Sequence, residues 1–176
     1  MIEIDQMTIE TGDRVAKEKY TFEQFLETVE NDYKDFADKI NKNLLANGYI
    51  SKIESKANGY FVSYSHKKSK RSLLNFLFRK SGLICRIYPE NVERHHDIVH
   101  SLPDKMVQEI SKAAKCKRFL NPEDCSDKCL GGYDFVIKDT NYKRCRYSCF
   151  QFLVTGESMA FIADMIGKEV ECRNVA

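Results

Sequence analysis

The stretch GYFVSYSHKKSKRSLLNFLFR, residues 59–79, decides the fold of this chain. Large apolar side chains occupy every second position on either side of a basic loop, at 60, 62 and 64 and again at 74, 76 and 78. Such alternation predicts two strands that each have one better-buried face. Turn signals at Asn58-Gly59 and Ser81-Gly82 flank the stretch. The sequence therefore predicts a four-stranded antiparallel meander over roughly 49–88.

A helical pattern precedes this sheet. Thr21 and Gln24 stand at the spacing of a capping box, and apolar residues then recur every three or four positions up to Asn47-Gly48. Because Asn-Gly favours a left-handed helix stop, the pattern predicts one long amphipathic helix over 21–47. A meander packed against such a helix is typical of the α+β class.

The remainder of the chain predicts shorter elements. We expect a helical segment over 90–100, a further helix after Ser101, a hairpin over 133–147 that turns at 139–141, and a last helix over 157–171. The predicted organisation is an N-terminal arm (1–20), an α+β core (21–115) and a small cysteine-rich hairpin and helix subdomain (116–176) packed on the core.

Length and composition bound the class of protein. A chain of 176 residues, 43% hydrophobic and 31% charged, can bury a core without the help of a metal or disulfides. The acidic start Met1-Ile-Glu-Ile-Asp lacks the basic end and apolar run of a secretory signal, and no stretch reaches membrane-spanning length. We therefore expect a cytoplasmic protein that makes no use of a membrane. In a reducing compartment its seven cysteines are more naturally thiols or metal ligands than disulfides.

Five of the seven cysteines fall between positions 116 and 149. In NPEDCSDKCLGG, Asn121 and Pro122 predict a helix start, which would place Cys125 and Cys129 at i and i+4 on one helical face. That spacing strains a direct disulfide but allows both sulfurs to reach one zinc. The interpretation we favour is a structural zinc site of Cys125, Cys129, Cys145 and Cys149, with Cys116 as a competing ligand or a buried thiol.

Several alternatives to zinc stay open. Both cysteine pairs have three intervening residues where common zinc ribbons have two, and the spacing of a bacterial ferredoxin is absent. Packed thiols, disulfides within the cluster and, less favoured, an iron–sulfur cluster are the competing interpretations. A catalytic dithiol of the thioredoxin type would need a Cys-x-x-Cys motif, which the cluster lacks. Four cations, Lys128, Lys143, Arg144 and Arg146, either offset thiolate charge or are solvated on a hairpin surface.

A second candidate site is basic. No carboxylate occurs from Ser55 to Pro89, and this region contains the loop residues Lys67, Lys68, Lys70 and Arg71. Together with Arg144 and Arg146 they form a possible nucleic-acid-binding set, in which lysines and arginines follow the phosphates while tyrosines stack on bases. A solvated, lysine-protected strand edge is the simpler account. His96 and His100 have the i, i+4 spacing of a metal pair but lack the glutamate of His-Glu-x-x-His, so we expect surface or partly buried histidines.

Three stretches resemble a group of uncharacterised proteins from Clostridium-like anaerobes: GYFVSYSHKKSKRSLLNFLFRKSGLICRIYPEN, CKRFLNPEDCSDKCLGGYDF and YKRCRYSCFQF. The first stretch is also similar to the sheet of small YdhG-like bacterial proteins. The resemblance covers about residues 21–155, and the cysteine pattern is its most specific part. It implies a bacterial, intracellular α+β protein and carries over no functional residues.

No catalytic constellation is recognisable in the sequence, so we expect a binding or regulatory protein more than an enzyme. Its expected partner is a nucleic acid or another protein. The alternatives to a zinc-stabilised module are a thiol or iron–sulfur redox sensor and a nucleic-acid-binding module that uses the basic loop.

Overall fold

The computed structural model describes residues 20–175, so the predicted N-terminal arm lies, except for Tyr20, outside the described residues. The helices are α1 (Phe22–Thr28), α2 (Asn31–Ala46), α3 (His96–Ser101), α4 (Asp104–Ser111) and α5 (Ser158–Val175). The strands are β1 (Tyr49–Lys56), β2 (Gly59–His66), β3 (Ser72–Arg79), β4 (Gly82–Ile87), β5 (Tyr133–Ile137), β6 (Thr140–Arg144) and β7 (Phe150–Leu153). The predicted α+β class is confirmed.

The main sheet has the order β1-β2-β3-β4-β7, with every neighbouring pair antiparallel. The predicted meander is thus confirmed, and β7 adds a fifth strand beside β4. In the first hairpin Lys56 pairs with Gly59, so the loop is Ala57-Asn58, one residue earlier than predicted. Gly59 begins β2 at φ +115°, a conformation that other residues rarely adopt. Because β7 belongs to the cysteine-rich part of the chain, that part shares the core sheet.

The single helix predicted over 21–47 is wrong. The chain leaves helical geometry at Val29, which is extended and buried, and α2 begins two residues later. The β-branched pair Thr28-Val29 has low helix propensity, which favours a break at this point. The spacing of apolar residues continues across the break, because both helices pack their apolar side chains against the same face of the sheet. The break allows Phe25 of α1 and Phe36 of α2 to pack on Phe76, with ring centroids 5.7 and 6.4 Å apart.

One face of the sheet forms the core. Phe76 lies at its centre, fully buried, and Tyr64 meets its ring edge-on at 6.2 Å. The Tyr64 hydroxyl donates to Asn41 Oδ1 of α2 at 2.9 Å, which satisfies both buried polar groups. The small β5–β6 hairpin joins this core through Phe135, whose ring lies 6.3 Å from that of Phe150 in β7.

The later elements differ from prediction in detail. The segment expected to be helical over 90–100 is a 3-10 turn, Val92–Arg94, followed by α3. The hairpin over 133–147 is confirmed, but its loop is Lys138-Asp139, both at positive φ. The last helix starts at Ser158 and runs four residues beyond the predicted end at 171.

The helix predicted to carry Cys125 and Cys129 is also wrong. Asn121 does accept a hydrogen bond from the Glu123 N–H, at 3.2 Å, but only a 3-10 turn over Pro122–Asp124 follows. Cys125 is already extended, and Cys129 donates its N–H to Ser126 O at 2.9 Å to close a separate turn. Asn, Ser and Asp side chains offer the backbone local hydrogen bonds that compete with a helix.

Candidate thiol site

The cysteine-rich region, residues 116–149, is called the thiol segment below. Its first cysteine is held against the β5–β6 hairpin, because Lys115 bridges Arg144 in antiparallel fashion. Cys116 donates its N–H to Lys143 O at 3.2 Å, and Cys145 donates its N–H to Ala114 O at 2.8 Å. These bonds bring Cys116 and Cys145, which are far apart in sequence, to the same short two-stranded ladder. Cys116 is buried and Cys145 is half-buried.

Gly132 allows the thiol segment to pack this closely. A Cβ atom at Gly132 would lie 2.5 Å from the Cys116 Cβ, 2.7 Å from the Cys116 Sγ and 2.5 Å from the Arg144 carbonyl oxygen. Carbon and sulfur do not approach so closely without contact repulsion, so only glycine fits against this pair. Gly132 of the Gly131-Gly132 dipeptide therefore marks a close approach of two chain segments.

Cys125 and Cys129 form the chemically distinctive part of the site. The turn at Ser126 brings the two thiols close enough to shift each other's pKa in opposite directions. The Gly131 N–H, the Cys125 thiol and the Arg118 guanidinium lower the pKa of Cys129, against an opposing effect of partial burial. The interaction with Cys129 raises the pKa of Cys125. Cys129 is therefore the more acidic thiol of the pair.

Two arginines fix the loop that carries Cys129. Arg118 donates through Nη1 to the Cys129 carbonyl, and Arg146 donates through Nε to the Gly131 carbonyl at 3.3 Å. Arg146 also donates to the Glu90 carbonyl outside the thiol segment, and its guanidinium lies 4.6 Å from the centre of the Tyr133 ring. Arg118 was missed from the sequence, because only the tertiary fold brings it to the Cys129 carbonyl, 11 positions along the chain.

Cys116 lies close enough to Cys125 to raise the pKa of Cys125 slightly, so three of the predicted ligands share one region. Cys149 instead contacts Tyr88, where burial first and the Cys149 thiol second raise the pKa of the tyrosine hydroxyl. Within residues 20–175 no group of three or more cysteine, histidine or acidic side chains is arranged to hold a metal ion. Zinc and an iron–sulfur cluster accordingly stay predictions.

The predicted nucleic-acid set divides into three environments. Lys67, Lys68 and Lys70 are exposed, whereas Arg71 pairs with Glu90 and is half-buried. Arg144 is only 8% exposed and donates to Ser111 O at 3.0 Å, so it does not face solvent. Lys68, Arg71 and Arg146 line one cleft of about 580 Å³, but Glu90 lies in the same cleft. Binding of a nucleic acid there stays a prediction.

A buried charge network was missed from the sequence. Glu169 on α5 is completely inaccessible, and it accepts hydrogen bonds from the Asn91 N–H at 2.7 Å and from Arg173 Nε at 3.3 Å. His95 Nε2 lies 2.9 Å from the same carboxylate. Burial raises the pKa of Glu169, but His95, the backbone N–H groups and Arg173 together lower it below its ordinary value of 4.5. The available signal was the position of Glu169, which shares the buried face of α5 with Met165, Ile166 and Val170.

The other histidines are simpler. His96 and His100 are exposed on α3 with ring centroids 6.3 Å apart.

None of the helices described between residues 20 and 175 has the length and apolar character needed to cross a membrane. No protein-family model, curated protein or solved structure matches this chain.

Proposed function

We propose that this protein is a non-enzymatic cytoplasmic regulatory protein whose Cys125–Cys129 pair responds to oxidants. The single observation that carries the proposal is the turn that holds two free, half-buried cysteines close together, with the pKa of Cys129 lowered and that of Cys125 raised. A thiolate beside a protonated thiol has the two components of disulfide formation, an attacking sulfur and a resolving sulfur. Both cysteines are half-buried, so a small oxidant has access to them.

The proposed reaction with a hydroperoxide has two steps. The Cys129 thiolate attacks the distal peroxide oxygen, the O–O bond breaks, and the leaving alkoxide or hydroxide takes up a proton, which gives a sulfenic acid and an alcohol or water. The Cys125 sulfur then attacks the sulfenyl sulfur, forms the disulfide and releases water. Two electrons pass from the two sulfurs to the peroxide. The helical geometry that would have strained this bridge does not apply, because Cys125 and Cys129 lie on a turn.

A change at the pair would alter the surface that the thiol segment presents. Leu120 is 78% exposed and Leu130 is 70% exposed, and Leu130 follows Cys129 directly. Contiguous exposed apolar surface is typical of sites that bind other proteins. Closing the disulfide would move the loop that Arg118 and Arg146 hold by its carbonyls, and this supports a regulatory output through another protein.

Zinc binding is the second candidate. The observation that favours it is Cys116, which a redox pair does not need but which lies beside Cys125 and next to the backbone of Cys145. Cys116, Cys125, Cys129 and Cys145 would supply four thiolates if the loop closed on the ladder, and Cys149 remains the other hairpin ligand predicted from the sequence. Zinc bound in this way would protect the thiols from oxidation and alkylation.

One inventory distinguishes the two candidates. Protein purified without oxygen or added metal is analysed for zinc and iron, then exposed to limiting hydrogen peroxide and mapped by peptide mass spectrometry. The redox proposal expects less than about half an equivalent of metal and a Cys125–Cys129 disulfide, formed with the loss of two hydrogens, ahead of any change at Cys172. Cys172→Ser is the matched control, and Cys125→Ser should stop at the sulfenic acid. Stoichiometric zinc with unreactive thiols supports the second candidate, and oxidation that starts at Cys145 or Cys172 contradicts the first.

A further inference from the structure

A cavity on the described surface lies outside the thiol pair. It has a volume of about 710 Å³ and runs between α4 and the sheet edge formed by β7, ending at the start of α5. Known small-molecule sites have volumes of roughly 300 to 1,000 Å³ and mostly apolar walls with a few polar groups. The cavity therefore has the size of a site for a small organic ligand.

The walls of the cavity are mainly apolar. Met106 of α4 and Phe152 of β7 are buried, and Ile84 of β4 is half-buried. Leu153 and Ala113 extend this surface. An apolar wall of this kind favours a ligand whose apolar body removes the wall from water.

The charges at the rim are unequal. Five charged residues line the cavity: Arg79, Lys105, Lys112, Glu109 and Glu157. Lys112 and Glu109 are paired with each other, Nζ to Oε1, at 2.5 Å. Among the residues that the structure describes, neither Arg79 nor Lys105 has a carboxylate within ion-pair distance, and Glu157 has no cation. Two unpaired cations against one unpaired carboxylate leave the rim positive.

We propose that this cavity binds an amphipathic anion. The apolar body of the ligand lies against Ile84, Met106 and Phe152, and its carboxylate, sulfonate or phosphate group is attracted to Arg79 and Lys105. Gln151 and Ser148 add exposed or half-exposed polar groups at the same wall. Cys149 also lines the cavity, so a bound ligand would cover this thiol. The proposal does not depend on the redox chemistry of Cys125 and Cys129.

Two probes with the same aromatic body test the proposal. 1-Anilinonaphthalene-8-sulfonate carries one negative charge, whereas N-phenyl-1-naphthylamine carries none, and both fluoresce more strongly in an apolar site. We expect saturable binding of one equivalent of each probe to the native protein. The variant Arg79→Gln/Lys105→Gln should bind the sulfonate about 5- to 20-fold more weakly, since each exposed charge contributes up to about 1 kcal/mol. Its affinity for the neutral probe should change by less than about twofold.

The control variant Lys39→Gln/Lys67→Gln removes the same charge at exposed positions outside the cavity, and it should bind both probes as the native protein does. Gln108→Trp places a large side chain at an exposed position of the lining and should weaken both probes. Saturating sulfonate should also slow alkylation of Cys149 but not of Cys172. Equal loss of both probes in the charge variant, the same loss in the control variant, or binding that does not saturate would each overturn the proposal.

Discussion

The sheet core and the thiol segment are stabilised in different ways. Around Phe76 the sheet core is a set of fully buried aromatic and aliphatic side chains with few polar groups, of which Tyr64 and Asn41 are hydrogen-bonded to each other. The thiol segment exposes Phe119, Leu120 and Leu130 and is held by arginine side chains that donate to its carbonyls. The core therefore depends on apolar area removed from water, whereas residues 117–132 of the thiol segment depend on a few directional contacts. The β5–β6 hairpin of the thiol segment packs into the core through Phe135.

The sharpest test of this difference truncates one phenylalanine in each region. Phe76→Ala should lower the free energy of unfolding by about 3 to 5 kcal/mol, because it leaves a cavity under α1 and α2. Phe119→Ala should cost less than about 1 kcal/mol, since Phe119 is exposed and its main contact is with the Lys143 ammonium, 5.4 Å from the ring centroid. Denaturant unfolding followed by circular dichroism measures both values. Equal losses would show that the thiol segment has a core of its own.

The buried carboxylate of α5 gives the next largest effect. Glu169→Gln should lower the free energy of unfolding at pH 7 by about 2 to 3 kcal/mol, because His95 and Arg173 lose a charged partner in a site without water access. Glu171→Gln removes an exposed carboxylate that pairs with Lys168, and it should change the stability by less than about 1 kcal/mol.

The same network predicts a pH dependence. The folded state lowers the pKa of Glu169, so its contribution is complete above the ordinary value of 4.5 and is lost as the pH falls through the lower, folded pKa. The stability difference between the native protein and Glu169→Gln should therefore shrink below about pH 4.5. A difference that stays constant from pH 7 to pH 3 would contradict the proposed ionisation of Glu169.

These two regions also explain what the sequence predicts and what it does not. Alternation over 59–79 reports which face of each strand is buried, and this one-dimensional pattern was sufficient for the meander and the α+β class. The break at Val29 left no mark in the sequence pattern, because the spacing of apolar residues continues from α1 into α2. The turn that brings Cys125 to Cys129 depends on the side chains of Asn121 and Ser126, which accept hydrogen bonds from the N–H groups of Glu123 and Lys128 and leave no periodic signal.

The candidate site was predicted in its residue types more than in its geometry. Clustering drew attention to Cys116, Cys125 and Cys129, and the structure brings these three into one region. Arg118 and Gly132 have their roles only through contacts across 11 to 16 positions of the chain, with Cys129 and Cys116 respectively. Contacts of that range are set by the tertiary fold, and a single sequence does not specify them.

Substitutions of Gly132 and Gly156 test the packing of the thiol segment by adding a single methyl group. Gly132→Ala should lower the free energy of unfolding by about 1 to 3 kcal/mol, because the new methyl group meets Cys116 and a backbone carbonyl. Gly156→Ala is the matched control: a Cβ there has no heavy atom within 4 Å, and the substitution should be neutral or slightly stabilising. Equal stabilities of the two variants would mean that Cys116 is not packed against the loop.

The smallest expected effect concerns the reactivity of the pair. Iodoacetamide reacts with thiolates, so at pH 7 it should modify Cys129 before Cys125, and the pH midpoint for Cys129 should be the lower one. Arg118→Gln should slow the modification of Cys129 by about two- to fivefold, since it removes one of several groups that lower this pKa. The Gly131 N–H and the Cys125 thiol remain, which is why the loss is partial.

The neighbouring substitution Lys117→Gln is the control for charge alone, because Lys117 is exposed while Arg118 contacts the Cys129 carbonyl. Guanidinium-unfolded protein supplies the reference, in which both cysteines should react at similar rates and neither variant should matter. If Lys117→Gln slows the modification of Cys129 as much as Arg118→Gln does, then positive charge in general, and not the Arg118 contact, activates the thiolate. If only Arg118→Gln slows the modification in the folded protein, the contact of Arg118 with the Cys129 loop activates Cys129. The reactivity of the thiol segment then depends on one directional contact, whereas the stability of the sheet core depends on buried apolar area.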